Sequence, residues 1–179
     1  SAVIAGGSGA IVNASEGCED SREKGISAFD EKNCNENDLI IGISANGRAP
    51  FVVAFMEKAK ERGCKVAALV NNLDTEMAKI ADIAIEALTG AEVIKGSTRM
   101  KAGSSQKMIL NMFSTAVCVK MGYTWQNYMV RMKPSNSKLM KRAIAMVCEI
   151  LDIKPSTAEE LLIAHDWDIH ASLLDYSKK

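Results

Sequence analysis

Four segments of the sequence combine glycine or asparagine with small polar residues, a composition typical of loops that bind small anions. They span residues 6–9, 44–50, 71–72 and 90–99. Small residues let backbone N–H groups approach an anion, and a helix that follows such a loop adds partial positive charge. The pattern indicates a small anionic ligand such as a sugar phosphate, although each segment alone is also typical of an ordinary turn. Further donors and charges come from Ser44, Asn46, Arg48, Ser97, Thr98 and Arg99.

A second candidate for chemistry is the acidic run of residues 16–23. The sequence predicts a helix over residues 10–24, and this helix would place Glu16, Glu19 and Glu23 on one face. Two interpretations stay open. The carboxylates form a solvated face beside basic neighbours, which the spacing alone favours, or one of them is a general base whose pKa is tuned by burial near a ligand.

Metal and nucleotide sites are not predicted. His165 and His170 are five residues apart, which does not suit one metal ion, and none of the five cysteines forms a Cys-x-x-Cys pair. Neither the phosphate-binding loop of nucleoside triphosphatases nor the glycine fingerprint of dinucleotide-binding folds occurs in the sequence. No cofactor is therefore expected.

Composition argues against two further classes of partner. The 22 basic residues balance the 22 acidic ones, so the chain has no net charge to hold nucleic acid. No apolar run approaches the ~20 residues that a membrane helix needs. The first residues lack the basic and apolar regions of a signal peptide. We expect a cytoplasmic protein that binds a small molecule.

The elements that must position these segments alternate between strands and helices. Apolar runs at residues 39–43, 66–70 and 83–85 predict buried strands, and residues 2–5 predict a shorter first strand. A helix starting at Pro50 and a short helix capped by Asp74 or Thr75 separate the strands. This order predicts an α/β fold with a parallel sheet and helices on both faces. The carboxyl ends of such strands lie at one edge, where ligands bind.

The second half of the sequence is helical. Residues 97–121 predict a loop followed by a long helix that is apolar nearly all round, so we expect this helix to be buried in the core or in a subunit interface. Three more helices are predicted near residues 136–151, 157–164 and 167–176. The domain boundary predicted from these patterns separates residues 1–134 from a small helical subdomain of residues 135–179.

Five segments resemble, in order, the motifs of the N-acetylmuramic acid 6-phosphate etherase family. They are EGCEDSREKG at residues 16–25, GISANGRAPF at residues 42–51, GAEVIKGSTRMKAGSSQK at residues 90–107, and NYMV with NSKL at residues 127–130 and 136–139. The resemblance implies a sugar isomerase (SIS) domain, a flavodoxin-like three-layer α/β/α sandwich that binds phosphosugars. It also implies that the helical tail resembles ubiquitin-associated helices.

The resemblance implies cleavage of the lactyl ether of N-acetylmuramic acid 6-phosphate, without a metal or cofactor. The products would be N-acetylglucosamine 6-phosphate and D-lactate, in peptidoglycan recycling. A base removes the C2 proton, an acid protonates the departing lactate oxygen at C3, and water adds to the unsaturated intermediate. The base of the family corresponds to Glu19, and the family also implies a homodimer. The residues implied to bind the substrate are Ser44, Asn46, Gly47, Arg48, Ser97, Thr98 and Lys101.

The sequence departs from the family at two places. The second catalytic glutamate and the first glycine-rich loop of the family lie upstream of the segment that starts this chain, so we expect the chain to be incomplete at its N-terminus. Asn46 and Ala49 stand where the family has hydroxyl residues. Two functions therefore stay open: part of an etherase, which is a carbon–oxygen lyase, or a non-catalytic phosphosugar-binding regulatory module. A third, an aldose–ketose isomerase, is disfavoured by the motif at residues 90–107.

Overall fold

A computed structural model describes residues 1–177 of the chain. Its contacts divide the chain into two compact units, Ser1–Leu110 and the residues from Asn111 onward. The division falls inside a long helix of residues 101–120.

The first unit is built on a three-stranded parallel sheet in the order β1-β2-β3. The central strand β2 is buried from its second residue to its last, because it is paired on both sides and covered by helices. All three strands appear where the apolar runs predict them, and the parallel direction is confirmed. Their bounds are Leu39–Ser44 for β1, Lys65–Val70 for β2 and Ile83–Glu86 for β3.

Four helices and two short 3-10 turns complete the elements that begin in this unit. Pro50 occupies the first turn of α2. The hydroxyl of Thr75 caps α3 by accepting from the N–H of Ala78 at 3.1 Å, so of the two predicted caps, Asp74 and Thr75, it is Thr75 that fills the position. The helices are α1 (Arg22–Asp30), α2 (Pro50–Glu61), α3 (Glu76–Ile80) and α4 (Lys101–Lys120), and the 3-10 turns are Ser8–Ile11 and Cys18–Asp20.

The core of the first unit lies between the helices and the sheet. Phe29 of α1, Met56 of α2 and Met77 of α3 are at most 1% exposed, and they pack with the buried side of β2. This arrangement confirms the predicted α/β class, a parallel sheet with flanking helices.

Two predicted elements at the N-terminus are wrong. Residues 2–5 form no strand, because the chain turns there through a hydrogen bond from the N–H of Gly7 to the carbonyl of Ile4. Residues 10–24 form no continuous helix, because Gly17 adopts a left-handed backbone and Ser21 an extended one. As a result, Glu16, Glu19 and Glu23 do not share a helical face.

The second unit is mainly helical. Its helices are α5 (Ser137–Leu151), α6 (Pro155–Ala164) and α7 (Ile169–Tyr176), which confirms the three helices predicted there. A short antiparallel hairpin of β4 (Thr124–Trp125) and β5 (Tyr128–Met129) precedes them. Side chains of this hairpin pack on the buried cluster formed by the three helices. The predicted boundary between residues 134 and 135 stays a prediction.

The long helix α4 is exposed along most of its length. Of its residues only Ala102 is buried, whereas Met108 is 64% exposed and Met112 is 61% exposed. Of the two expected places for this helix, burial in the core is thus contradicted, and burial in a subunit interface stays a prediction. Among residues 1–177, no helix is long and apolar enough to cross a membrane.

Gly25 lets α1 approach α2 closely, and its replacement tests this contact. A Cβ atom at Gly25 would lie 2.3 Å from the carbonyl oxygen of Phe51. Alanine normally favours a helix over glycine by ~1 kcal/mol. Here we expect Gly25→Ala to lower the free energy of unfolding by about 1–3 kcal/mol, because backbone cannot move aside cheaply. Urea unfolding measures the change.

Ser27→Ala, at an exposed position of the same helix, serves as the control and should leave the unfolding midpoint within error of the wild type. A Gly25→Ala variant as stable as this control would contradict the close contact.

Candidate functional site

The carboxyl ends of β1 and β2 carry two of the predicted binding segments to the same edge of the sheet. The backbone N–H of Asn71, directly after β2, donates to the carbonyl of Ala45, directly after β1, at 3.0 Å. The side-chain amide of Asn72 donates to the same carbonyl at 3.1 Å. The loop after β1 is thus held against the loop after β2.

The loop of residues 44–49 is shaped by its own side chains. The Asn46 Oδ1 atom accepts from the Ser44 hydroxyl and from the N–H of Arg48, both at 2.9 Å. Ser44 therefore has its proton committed within the loop. No hydrogen bond engages the side-chain N–H₂ of Asn46 in the described part of the chain, so this amide is the loop's available neutral donor.

Gly47 is required by close packing. Its φ of +67° lies in the left-handed region, and a Cβ there would lie 2.5 Å from Thr75. Its carbonyl accepts from the N–H of Met77 at 3.1 Å. Gly47 thus seats the loop on the start of α3, and its contribution is to shape the loop rather than to contact a ligand through a side chain.

The start of α2 has the electrostatics of an anion site. No side chain of the N-cap residue, Ala49, bonds to the helix start. Pro50 has no N–H, and the N–H of Val52 donates to the carbonyl of Ala49 at 3.0 Å, so the N–H of Phe51 is the backbone donor left in this turn among the described residues. Arg48 is exposed and has no ion pair or side-chain hydrogen bond among residues 1–177. A phosphate at this position would gain from both the helix and the guanidinium group.

The start of α4 is different, because a carboxylate of the chain already occupies it. The two oxygens of Glu92 accept from the N–H of Lys101 at 3.1 Å and from the N–H of Ala102 at 3.0 Å. These backbone donors, Ala102 first, hold the pKa of Glu92 below its usual value. The next N–H, of Gly103, donates to the carbonyl of Thr98. The amides at this helix start are thus not open to a phosphate.

The remaining predicted binding residues lie in and beside this capped segment. Ser97 is half-buried and Thr98 is exposed, and the hydroxyl of neither residue has a hydrogen-bond partner in the described chain. The ammonium group of Lys101 donates to the carbonyl of Ala91 at 2.8 Å, so it stabilises the segment itself. Between residues 90–101 and 44–49 we find no direct hydrogen bond within the described residues.

Glu19 lies in the 3-10 turn Cys18–Asp20, which packs against α2. Its carboxylate is exposed and makes no hydrogen bond or ion pair within residues 1–177. The burial that would tune a general base is thus not provided by this chain as it stands. The helix that follows is held to α2 by the Gly25 contact with Phe51 and by an ion pair between Arg22 and Glu57.

A cleft of about 570 Å³ lies beside this turn. Its lining brings together the glycine-rich segment of residues 6–9, the neighbour of Glu19 and the first turn of α2. Lys24 supplies positive charge there, and its Nζ atom is 3.8 Å from the Cys18 sulfur. The lining includes Gly6, Gly7, Ser8, Cys18, Lys24 and Phe51.

Sequence reasoning assigned no role to Glu92, although this residue lies inside the motif of residues 90–107. No local pattern marks it, because its partners are nine and ten residues away. The same holds for the side-chain contacts of Asn71, whose position after a strand was the only signal. No group of three or more histidine, cysteine or acidic residues in the described chain is arranged to hold a metal ion.

Comparison with known proteins gives one family and a set of relatives. The SIS domain family matches residues 21–116, more than half of the chain. An N-acetylmuramic acid 6-phosphate etherase of Clostridioides difficile (strain 630) is 47% identical over 161 residues, which cover 90% of this chain and 53% of the relative. An etherase of the same name from Salmonella schwarzengrund (strain CVM19633) is 43% identical over 172 residues, 96% of this chain and 58% of the relative. The chain therefore spans little more than half the length of these relatives.

The cap formed by Glu92 predicts a pH dependence of stability. Because the folded pKa is lowered, the carboxylate stabilises the fold fully above the ordinary glutamate pKa of about 4.3, and this contribution is lost as the pH falls through the lower folded pKa. We expect Glu92→Gln to lower the thermal midpoint at pH 7. The difference from the wild type should shrink below about pH 4.

Thermal unfolding between pH 7 and pH 3 measures this difference. Glu36→Gln is the matched control, because Glu36 has no hydrogen bond or ion pair among the described residues. A Glu92→Gln variant that follows the control at every pH would show that the cap contributes nothing.

Proposed function

The chain belongs to the SIS domain family, and from this premise we propose that it carries the phosphosugar-binding loops and the general base of an N-acetylmuramic acid 6-phosphate etherase. The observation that carries the proposal is the start of α2, where Arg48 has no partner within the described chain and no side chain caps the helix. The names of the relatives and the ordered motifs support the choice of substrate.

In the proposed reaction, the sugar opens to its aldehyde, which makes the proton on C2 acidic. Glu19 takes this proton as general base. The bond between C3 and the lactate oxygen then breaks, and a second acid protonates that oxygen. Water adds to C3 of the unsaturated aldehyde, so one substrate and one water give N-acetylglucosamine 6-phosphate and D-lactate.

The phosphate of the substrate is proposed to lie at the start of α2, with Arg48 and the Asn46 amide as donors. Ser97 and Thr98 are proposed to bind the sugar, because their hydroxyls are not engaged within the described chain, whereas Lys101 acts by holding its own segment together. Ser44 and Gly47 shape the loop around the phosphate. Among residues of this chain, Glu16 and Asp20 are the nearest in sequence to Glu19 that could supply the second acid.

A second candidate function, a non-catalytic phosphosugar-binding module, is favoured by one specific observation. Glu19 is exposed and makes no side-chain hydrogen bond to another acid within the described chain, so a base and acid pair is not assembled by this chain alone. A binding module would need only the loops that hold the phosphosugar, and no pair of catalytic acids.

A homodimer is part of the proposal. The exposed apolar face of α4 includes Met108 and Met112, which are one helical turn apart. A second copy of the chain packed on this face would remove their side chains from water. All five cysteines are free thiols, which supports a reducing compartment, and we include a cytoplasmic location in the proposal.

The role of Glu19 predicts a separation of turnover from binding. In an assay of D-lactate release from N-acetylmuramic acid 6-phosphate, we expect Glu19→Gln to lower the rate at least ~100-fold, because a general base contributes about that much. The thermal stabilisation by N-acetylglucosamine 6-phosphate should persist in this variant. Glu36→Gln provides the control, because Glu36 is an exposed glutamate that has no proposed role in the reaction.

Three other outcomes are informative. A normal rate in Glu19→Gln would exclude Glu19 as the base. Stabilisation without lactate release by the wild type would favour the binding module. If the wild type shows neither lactate release nor thermal stabilisation, phosphosugar binding is contradicted.

The proposed interface predicts an oligomeric state that one charge can change. We expect the wild type to have the mass of a dimer in light scattering and Met112→Lys to have the mass of a monomer, because a buried lysine would lose its hydration. Ile163→Lys is the control, since Ile163 is a comparably exposed apolar residue on a different helix. A monomeric wild type, or a dimeric Met112→Lys, would refute the interface on α4.

A further inference from the structure

Asn71 is one of three buried polar residues among residues 1–177, with 9% of its surface exposed. The other two are explained by helix structure. Thr75 caps α3, and the hydroxyl of Ser172 donates to the carbonyl of Asp168 within the first turns of α7. Asn71 belongs to no helix, so its burial requires a different explanation.

The side chain of Asn71 is fully engaged by partners that lie far away in sequence. Its Nδ2 atom donates to the carbonyl of Ala87 at 2.7 Å and to the hydroxyl of Ser105 at 2.8 Å. Its Oδ1 atom accepts from the side-chain amide of Gln106 at 2.9 Å. Together with its backbone bond to Ala45, it joins the ends of all three strands to the first turns of α4.

The partners require an amide at this position rather than a carboxylate. The carbonyl of Ala87 can only accept a hydrogen bond. The hydroxyl of Ser105 has its proton committed to the carbonyl of Ala102 at 2.8 Å, so towards Asn71 it can only accept as well. A carboxylate in place of the amide would face two acceptors, and a buried repulsion of this kind costs more than a lost hydrogen bond.

These bonds connect the two segments that are proposed to hold the sugar phosphate. Ala45 lies inside the loop of residues 44–49, while Ser105 and Gln106 lie in the first turns of α4, which begins at Lys101 of the Ser97, Thr98 and Lys101 segment. Since no direct hydrogen bond joins the two segments within the described residues, the link passes through Asn71.

We propose that Asn71 is a positioning residue that sets the distance between the α2 phosphate site and the Ser97–Thr98 segment, so that one phosphosugar can contact both. The inference rests on the proposed phosphosugar function. Binding groups displaced by about 1 Å lose much of their effect, so the bond network of Asn71 is expected to control affinity without touching the ligand.

The test compares two variants, each expected to destabilise the fold, with substitutions near opposite ends of β2. Asn71→Asp replaces the amide with a carboxylate of the same shape. Val66→Ala removes buried volume near the other end of the strand, where Val66 is 0% exposed. Both should lower the urea midpoint, so their comparison separates general destabilisation from positioning.

Two measurements are made on the full chain without urea, at a temperature at which both variants are folded. The first is the affinity for N-acetylglucosamine 6-phosphate by calorimetry. The second is amide hydrogen exchange in peptides covering residues 42–48 and 98–106. We expect Asn71→Asp to bind at least ~10-fold more weakly and to exchange faster in both peptides. Val66→Ala should keep the wild-type affinity and the wild-type exchange in these peptides.

Equal affinity of Asn71→Asp and the wild type would overturn the inference and leave the proposed function standing. If the wild type binds no phosphosugar, the proposed function fails, and the exchange data still decide whether Asn71 links the segments. Unchanged exchange in either peptide would overturn the link. Should Asn71→Asp not fold, Ser105→Ala is used instead, because it removes a single acceptor of the Asn71 side chain. We then expect a smaller loss of affinity and a smaller increase of exchange in both peptides.

Discussion

The pairing of β2 with a parallel strand on each side is the constraint on which the rest of the first unit depends. Since β2 is buried from Val66 to Val70, its backbone polar groups must be satisfied by β1 and β3. Parallel pairing then places the carboxyl ends of all three strands at one edge. The position of the loop after β1 and the contacts of Asn71 follow from this geometry, because the residues after β1, β2 and β3 meet at that edge.

The two helix starts at this site differ in a way that decides where an anion can bind. At α4 the backbone donors are taken by the carboxylate of Glu92. At α2 no side chain caps the helix, and Arg48 stands beside it without a partner in the described chain. The same macrodipole acts at both starts. The presence or absence of a capping group of the chain itself therefore distinguishes an internal structural contact from a place for a ligand.

Local patterns predicted the elements whose signals are complete within a short stretch of sequence. Pro50 and the apolar spacing after it predicted the start of α2 correctly, and continuous apolar runs predicted three strands correctly, whereas the run at residues 2–5 forms no strand. The prediction failed at residues 10–24, where acidic residues at helical spacing were interpreted as one helix face. Spacing alone does not register the left-handed backbone of Gly17, which breaks that helix. For α4 the prediction left the core and a subunit interface open, because an apolar helix looks the same in sequence whether its partner is the core or another molecule.

The sequence by itself determined the α/β class, the parallel order of strands and helices, and, through the resemblance of its motifs, the candidate base Glu19 and the candidate binding residues. Only the tertiary structure decided which of these residues are committed to the fold, such as Gly47 through its backbone and Lys101 through its side chain, and which are open, such as Arg48. It alone revealed Asn71 and its partners 16 to 35 residues away. The physical reason is that hydrogen bonds between distant segments are set by how the elements pack, which no local spacing encodes.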